Sequence, residues 1–404
     1  MPATRRTRRT RRQVTLAFAV GLGLRVLVGQ LLPVAPSWDG VIYERAARQL
    51  ADGRGYTQAM YDPEFEWAYL PTAFYPPGWP ATLSLLKRLA DAPRLDLLLQ
   101  ALIGALVIPI AARFGGAYAG HGAARRAAWL VALWPGGWLT SASWMGEPLF
   151  TLAVALALLP LVGRPSTRRA SLSALLLGAA AYVRPTALII APFALVARAS
   201  AGRHPRSRAA LALPIAALAL VPVAPWMARN ADRLSAPVLA SNAGANLYVG
   251  TLGARYREIP EAVDCPHGPR ELTRDRCRRD RALRRIADEP LRWLALGLGK
   301  VLHTFGYEMG PALQAGAGLG WSPPEARPQV QALIAICSLY WLGLLLFAAR
   351  SRGRSSVRRV VVASALAVAA LHFVFLGGDR YHLPLVPLVA ALAAAAPPAT
   401  RSRG

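Results

Sequence analysis

Gln13-Val-Thr-Leu-Ala-Phe-Ala-Val-Gly-Leu-Gly-Leu-Arg-Val-Leu-Val-Gly-Gln-Leu-Leu-Pro33 runs almost directly into Ser37-Trp38-Asp39-Gly-Val-Ile-Tyr43. The first stretch is apolar and, at roughly 20 residues, long enough to cross a hydrocarbon core as a helix. The second sets an acid at its mouth. A second acid, Glu147, stands in Trp144-Met-Gly-Glu147-Pro148, again between apolar segments. Ionised carboxylates beside a bilayer are costly, so they need a partner, water or a function. If both emerge on the same side, they can share one cavity.

The rest of the chain repeats the apolar theme. Of 404 residues, 54% are hydrophobic, and the mean hydropathy is +0.32. A soluble globular protein has no need of recurrent runs of about 20 apolar residues. The expected fold class is therefore all-α: a polytopic membrane bundle of about ten transmembrane helices with two outer loops. The net charge is +26, almost all from Arg. Much of that Arg flanks apolar segments, where it sets orientation and touches anionic lipid, so the charge does not point to nucleic acid. The cluster Arg5, Arg6, Arg8, Arg9, Arg11 and Arg12 fits this role, and the run after it reads as an uncleaved first span. Three cysteines and six histidines show no metal-ligand spacing such as CxxC or HExxH, and no P-loop or GxGxxG cradles a nucleotide. Metal ligands are unknown, and use of a divalent metal stays open.

The expected spans are Gln13–Pro33, Leu95–Ala112, Arg126–Ser141, Pro148–Val162, Ala170–Val183, Pro185–Arg198, Arg208–Met227, Gln329–Ala349, Val357–Gly377 and His382–Ala396. With the N-terminus inside, the basic loops Arg113–Arg126, Arg164–Arg169, Arg198–Arg208 and Arg350–Arg359 all fall inside, as do Arg401 and Arg403. Both termini are then cytoplasmic, and Asp39, Glu147 and Asp379 lie outside. This parity requires Pro76–Leu89 and Leu291–Tyr307 to lie in the interface rather than cross. Arg184-Pro185 divides two short spans, because proline disfavours helix at the residue before it. The expected result is a hairpin with Arg184 at its outer tip. In the first outer loop, 34–94, the segment Ser37–Tyr56 is expected to be helical, capped by Asp39 and ended by Gly53. The second outer loop, 228–328, carries Cys265 and Cys277. Oxidation is permitted outside, so a disulfide and a pair of free thiols both remain open, with Cys337 left in a span.

Six phrases occur in order. They are Trp38-Asp39-Gly-Val-Ile-Tyr43 with Gly55-Tyr56, Tyr75-Pro-Pro-Gly-Trp-Pro80, Gly146-Glu147-Pro148, Tyr182-Val-Arg184-Pro185-Thr186, Ala224-Pro225-Trp226-Met-Ala-Arg229-Asn230 with Asn242-Ala-Gly-Ala-Asn246-Leu-Tyr248-Val-Gly250, and Gly378-Asp379-Arg380-Tyr381-His-Leu-Pro384. Each alone is weak. Together they resemble the GT-C class of membrane glycosyltransferases, family 39-like, whose relatives include protein mannosyltransferases and the aminoarabinose transferases of lipid A. The resemblance covers nearly all of residues 1–404 and implies one membrane glycosyltransferase domain. It departs at one point: Phe74 and Tyr75 stand where aminoarabinose-transferase-like members carry a second acid and a lysine. Glu64 or Glu66 offers a substitute.

The resemblance implies a polyprenyl-phosphate sugar donor and a single displacement with inversion. The chemistry agrees with that scheme. An acceptor hydroxyl must lose a proton as it attacks, and a carboxylate can take it. A leaving phosphate gains charge, which an arginine fork matches. Asp39 is read as general base, against a plain helix cap. Glu147 is read as orienting base or acceptor, against a favourable charge at a helix N-terminus. Arg184 is assigned to the donor phosphate, against snorkelling to headgroups. Arg380 and Tyr381 contact phosphate or sugar, or anchor the interface. Trp38, Tyr43, Arg229 and Asp379 complete the substrate-binding set, together with Asn242, Asn246 and Tyr248, which are read as lining the sugar site or, equally, as turn and loop-packing residues. His303 and Glu308 read as structural rather than metal ligands.

The expected protein is an inverting hexosyl or pentosyl transferase of the plasma membrane, acting on its outer face. Its partners are the polyprenyl-phosphate sugar, membrane lipid and a glycan, lipid or protein acceptor, with no nucleic acid. Two rivals remain: a transporter or flippase of a lipid-linked sugar, which should show inverted repeats, and a non-catalytic assembly protein of the same fold.

Overall fold

The computed structural model describes residues 5–32, 34–62, 66–199, 205–257, 265, 271–351 and 355–395. Glu64, Arg401 and Arg403 lie outside the described residues. The chain is helical almost throughout. Helix α1, Arg5–Leu31, buries Ala17, Gly21, Arg25 and Gly29, a four-residue spacing that makes one face. Small side chains on that face let the backbones approach closely. A Cβ at Gly21 would lie 2.4 Å from Ile108 Cδ1 and 3.0 Å from Ala132 Cα.

Both of those contacts belong to α4, Pro93–Ala132. It is interrupted at Ala119 and at Gly120, where φ is 77°. It folds back on itself there: a Cβ at Gly115 would meet Ala123 O at 2.8 Å and Ala127 Cβ at 2.9 Å. These two arms correspond to the expected spans Leu95–Ala112 and Arg126–Ser141, with helix continuing through most of the loop between them. The short α5, Pro135–Thr140, follows the second arm.

Between α1 and α4 lie α2, Asp39–Ala51, a two-stranded hairpin and α3, Gly78–Leu89. Strands β1, Thr57–Asp62, and β2, Glu66–Pro71, pair antiparallel from Thr57↔Pro71 to Asp62↔Glu66. This hairpin lies just beyond the expected helical segment Ser37–Tyr56. Helix α2 ends before Gly53, at φ 75°, as expected. Its start differs: Trp38 occupies the cap position, Asp39 is already helical, and no side chain caps the end. The Asp39 carboxylate is held by a guanidinium instead, which removes it from the capping role.

The chain continues through α6, Glu147–Leu158, α7, Thr167–Ala180, α8, Thr186–Ala199, α9, Pro205–Ala217, and α10, Leu220–Leu234. Then come α11, Ala243–Leu252, α12, Glu271–Asp288, α13, Pro290–Gly306, and α14, Gly310–Gly318. Helices α15, Pro328–Arg350, and α16, Ser356–Val374, precede a 3-10 turn, Asp379–Leu385, and α17, Val386–Ala393. Among the described residues, five helical segments are long and apolar enough to cross a membrane, one of them Leu211–Leu234 across α9 and α10, and α6 with its 3-10 extension and α8 are shorter apolar ones. Of the other expected spans, α7 has 14 residues, and the last is reduced to the eight-residue α17. Residues Val386 to Leu392 of α17 are all buried; this segment is apolar because it fills the centre of the bundle.

The two long loop segments are stitched together. Glu271, first residue of α12, accepts from Thr72 Oγ1 at 2.8 Å and from the Ala73 amide at 2.7 Å. The Ser241 amide donates to Ala73 O at 2.8 Å. A disulfide joins Cys265 to Cys277 on α12, and Cys337 is a buried free thiol. The bridge closes a 12-residue separation, a constraint of roughly 3 kcal/mol in the chain-entropy picture. Thiol labelling of the unreduced, denatured protein should modify Cys337 alone, and reduction should release the other two. Three labelled cysteines before reduction would contradict the bridge.

Candidate active site

Four charged side chains from four elements meet at one end of the bundle. Asp39 comes from the first turn of α2, and Glu147 from the first turn of α6. Arg184 sits on the turn between α7 and α8, where Arg184-Pro185 interrupts the helical path as the sequence implied. Arg380 belongs to the 3-10 turn Asp379–Leu385. Arg380 Nη1 donates to Asp39 Oδ2 at 2.6 Å and lies 4.0 Å from Glu147 Oε1. Arg184 Nη2 donates to the same Glu147 oxygen at 2.6 Å. The order Asp39, Arg380, Glu147, Arg184 therefore alternates in sign, and the cluster is neutral as a whole.

Burial alone would raise the Asp39 carboxyl. The charges of Arg380 and then Arg184, with hydrogen bonds from Tyr75 and Arg380, outweigh it and hold the group below its ordinary value. Burial, together with the nearby Asp39 charge, pushes Tyr75 well up, so its hydroxyl stays protonated and can donate. The Tyr43 and Tyr75 rings pack at 4.9 Å. The Tyr381 ring lies beside both guanidinium groups, 5.4 Å from Arg380 Cζ and 5.8 Å from Arg184 Cζ. Trp38, half exposed, precedes Asp39 with φ 49°. A bulky residue is strained in that region, and such strain persists only where the surroundings enforce it.

The scaffold behind the cluster is tight. Buried Lys87 on α3 pairs with Asp96 on α4 at 3.0 Å and Glu44 on α2 at 3.3 Å. Trp79 Nε1 donates to Trp144 O at 2.9 Å. A Cβ at Gly40 would come 3.3 Å from Trp144 Cβ, so α2 lies flush on the stretch that leads to Glu147. Gln100 donates to the carbonyls of Thr140 and Met145, which fixes the same stretch from α4.

Other expected site residues are engaged elsewhere. The Asp379 carboxylate accepts the amides of Met309, at 2.6 Å, and Gly310 at the start of α14. Arg229 donates to Thr72 O and Tyr56 O, and so pins the base of the β-hairpin. Tyr248 is buried against Leu247 and Ala282. Asn242 accepts the Asn246 amide in the first turn of α11. Glu308 is buried with His382 at 3.2 Å and Trp134 at 2.9 Å, and His303 contacts Tyr307; both have structural partners. Two residues were missed. Tyr75 was legible within Tyr75-Pro-Pro-Gly, and the buried Arg25 was a lone charge in the first apolar run.

Among the described side chains, those of the cluster do not fit a divalent cation. Each carboxylate of the cluster is held by a guanidinium, and among the described residues no group of three or more His, Cys, Asp or Glu side chains gathers as metal ligands do.

No protein-family model and no curated protein matches the chain. Solved structures do. The oligosaccharyltransferase of Archaeoglobus fulgidus in the apo form aligns over 95% of this chain and 50% of its own, at 15% identity and a TM-score of 0.54. The same organism's AglB in complex with an inhibitory peptide and a dolichol-phosphate aligns over the same shares at 15% identity and TM-score 0.51. ArnT from Cupriavidus metallidurans in the apo state aligns over 95% and 77% at 15% identity, with a TM-score of 0.42 that carries no weight by itself. The chain spans about half the length of the oligosaccharyltransferase. It has the fold of the GT-C membrane glycosyltransferases.

The turn bearing Arg184 rests on Gly78, whose amide donates to Tyr182 O at 2.7 Å. A Cβ there would lie 2.6 Å from that backbone oxygen. Gly78→Ala must displace the turn, and it should lower stability by about 1–3 kcal/mol in thermal unfolding of the purified protein. Unchanged unfolding would show that the turn is not seated as described.

Proposed function

We propose that this protein is an inverting glycosyltransferase. It would move a hexose or pentose from a polyprenyl-phosphate carrier to a hydroxyl of a lipid, glycan or protein on the outer face of the plasma membrane. The observation that carries this reading is the pairing of Asp39 with Arg380 inside the four-charge cluster. A base and a phosphate-matching cation are adjacent at the end of an apolar bundle. Support also comes from the shared GT-C fold and from a neighbour of that fold in complex with a dolichol-phosphate.

The acceptor oxygen attacks the anomeric carbon and forms the new C–O bond. The bond from that carbon to the phosphate oxygen breaks, and its electron pair leaves with the phosphate. The acceptor proton passes to Asp39. Arg380 and Arg184 can both face the phosphate, which gains charge as it leaves. An arriving phosphate competes with Asp39 for Arg380, so donor binding would itself release the base. Glu147 stays with Arg184 and orients the pair. Tyr43, Tyr75 and Trp38 supply aromatic surface for a sugar ring.

Asp39→Asn should abolish transfer from purified polyprenyl-phosphate sugar while leaving the protein folded. Near-normal turnover would remove Asp39 from the base role. Arg184→Ala should weaken binding of polyprenyl phosphate without any sugar, and unchanged affinity would leave Arg184 a structural partner of Glu147.

The pH dependence follows in sign. Asp39 is depressed in the folded state, so its ion pair stabilises above the unfolded carboxyl value and is lost as pH falls through the folded one. The acid limb of kcat/KM should lie below the ordinary Asp range near 3.9 and move to higher pH in Arg380→Gln. A limb that stays in place would contradict the coupling.

A further inference from the structure

Arg25 is fully buried on α1, within a helix long and apolar enough to span a membrane. Such a charge is expensive and calls for a partner. Its Nη1 donates to Gly21 O at 2.9 Å and its Nη2 to Val131 O at 3.2 Å, but its Nε is buried without a partner. Two glycines make room for it. A Cβ at Gly104 would stand 3.2 Å from Nε, and one at Gly137 would stand 2.8 Å from Nη2. The guanidinium thus occupies a fitted recess between α1, α4 and α5.

The recess opens on a small cavity also lined by Glu147, Thr140 and Thr151. Glu147 is 2% exposed. Its Oε1 takes the hydrogen bond from Arg184, and its Oε2 is buried without a partner. The two residues that carry this orphaned donor and this orphaned acceptor, of opposite charge, line the same space. The space has room for about one water.

We propose that Arg25 is a positioning residue for Glu147, acting through one buried water. The water accepts from Arg25 Nε and donates to Glu147 Oε2. Its second hydrogen can go to Thr140 Oγ1, whose own hydrogen is committed to Gly136 O at 2.9 Å. Both Glu147 oxygens are then held, one by Arg184 directly and one by Arg25 through water. The carboxylate keeps one rotamer when a phosphate draws Arg380 away. The catalytic consequence rests on the transferase reading; the link itself does not.

A double-mutant cycle in thermal stability tests the link, using Arg25→Met, Glu147→Gln and the double variant of the full-length protein. The double variant should lose less than the sum of the two single losses, and additivity would overturn the link. If Arg25→Met does not fold, Arg25→Gln takes its place in the cycle under the same criterion. Turnover tests the role. Arg25→Met should lower kcat roughly ten-fold with donor KM unchanged, as expected for a displaced orienting group, and Arg25→Lys should restore part of it. A rise in KM with kcat unchanged would overturn the positioning role. Coupled stabilities in a protein without transferase activity would uphold the link and refute the proposed function.

Discussion

Two carboxylates and two guanidinium groups hold one another at the end of an apolar bundle, and each offsets the cost of taking its partner out of water. Removing a charge from water costs several kcal/mol, which attraction offsets only when the partner is close and well aligned. Asp39–Arg380 and Glu147–Arg184 each meet that condition at 2.6 Å, and the 4.0 Å approach of Arg380 to Glu147 joins the pairs. The four residues come from positions 39, 147, 184 and 380. The cluster therefore fixes α2, α6, the α7–α8 turn and the final 3-10 turn relative to one another.

Such a set has a use that a hydrophobic plug would lack. An internally satisfied cluster can exchange partners with an incoming anion at little net change in charge pairing. In the proposed reaction, a phosphate that takes Arg380 would remove the charge that chiefly holds the Asp39 carboxyl low, and would leave it as a stronger base beside the space where an acceptor would come. Close packing makes that exchange local. Gly40 lies against Trp144, Gly78 against Tyr182, and buried Lys87 ties α2, α3 and α4 together, so the surrounding backbone has little freedom to follow.

The apolar segments were legible because bilayer thickness imposes a length on them, and an acid or an Arg-Pro beside such a run stands out. Asp39, Glu147 and Arg184 stand out that way, whereas Arg380 stands out only within the phrase Gly378-Asp379-Arg380-Tyr381 that resembles a family motif. What stayed hidden depends on contacts between distant segments. Asp379 has the same sequence setting as Arg380, yet its carboxylate serves the start of α14. Arg229 lies in a phrase that resembles a site motif but holds the carbonyls of Thr72 and Tyr56. The β-hairpin carries no strong alternation or Asn-Gly turn to announce it. Arg25 was in plain view, but one charge does not prevent an apolar window from reading as a span. Nothing local marks the glycines on α4 and α5 that receive it.

In the proposed reaction the Asp39–Arg380 pair opens when a lipid phosphate binds. A structure of the protein in lipid with polyprenyl phosphate bound tests this directly. Arg380 should then sit on the phosphate, with Asp39 free of Arg380 and Glu147 still on Arg184. A phosphate seated elsewhere, with Arg380 still 2.6 Å from Asp39, would contradict it.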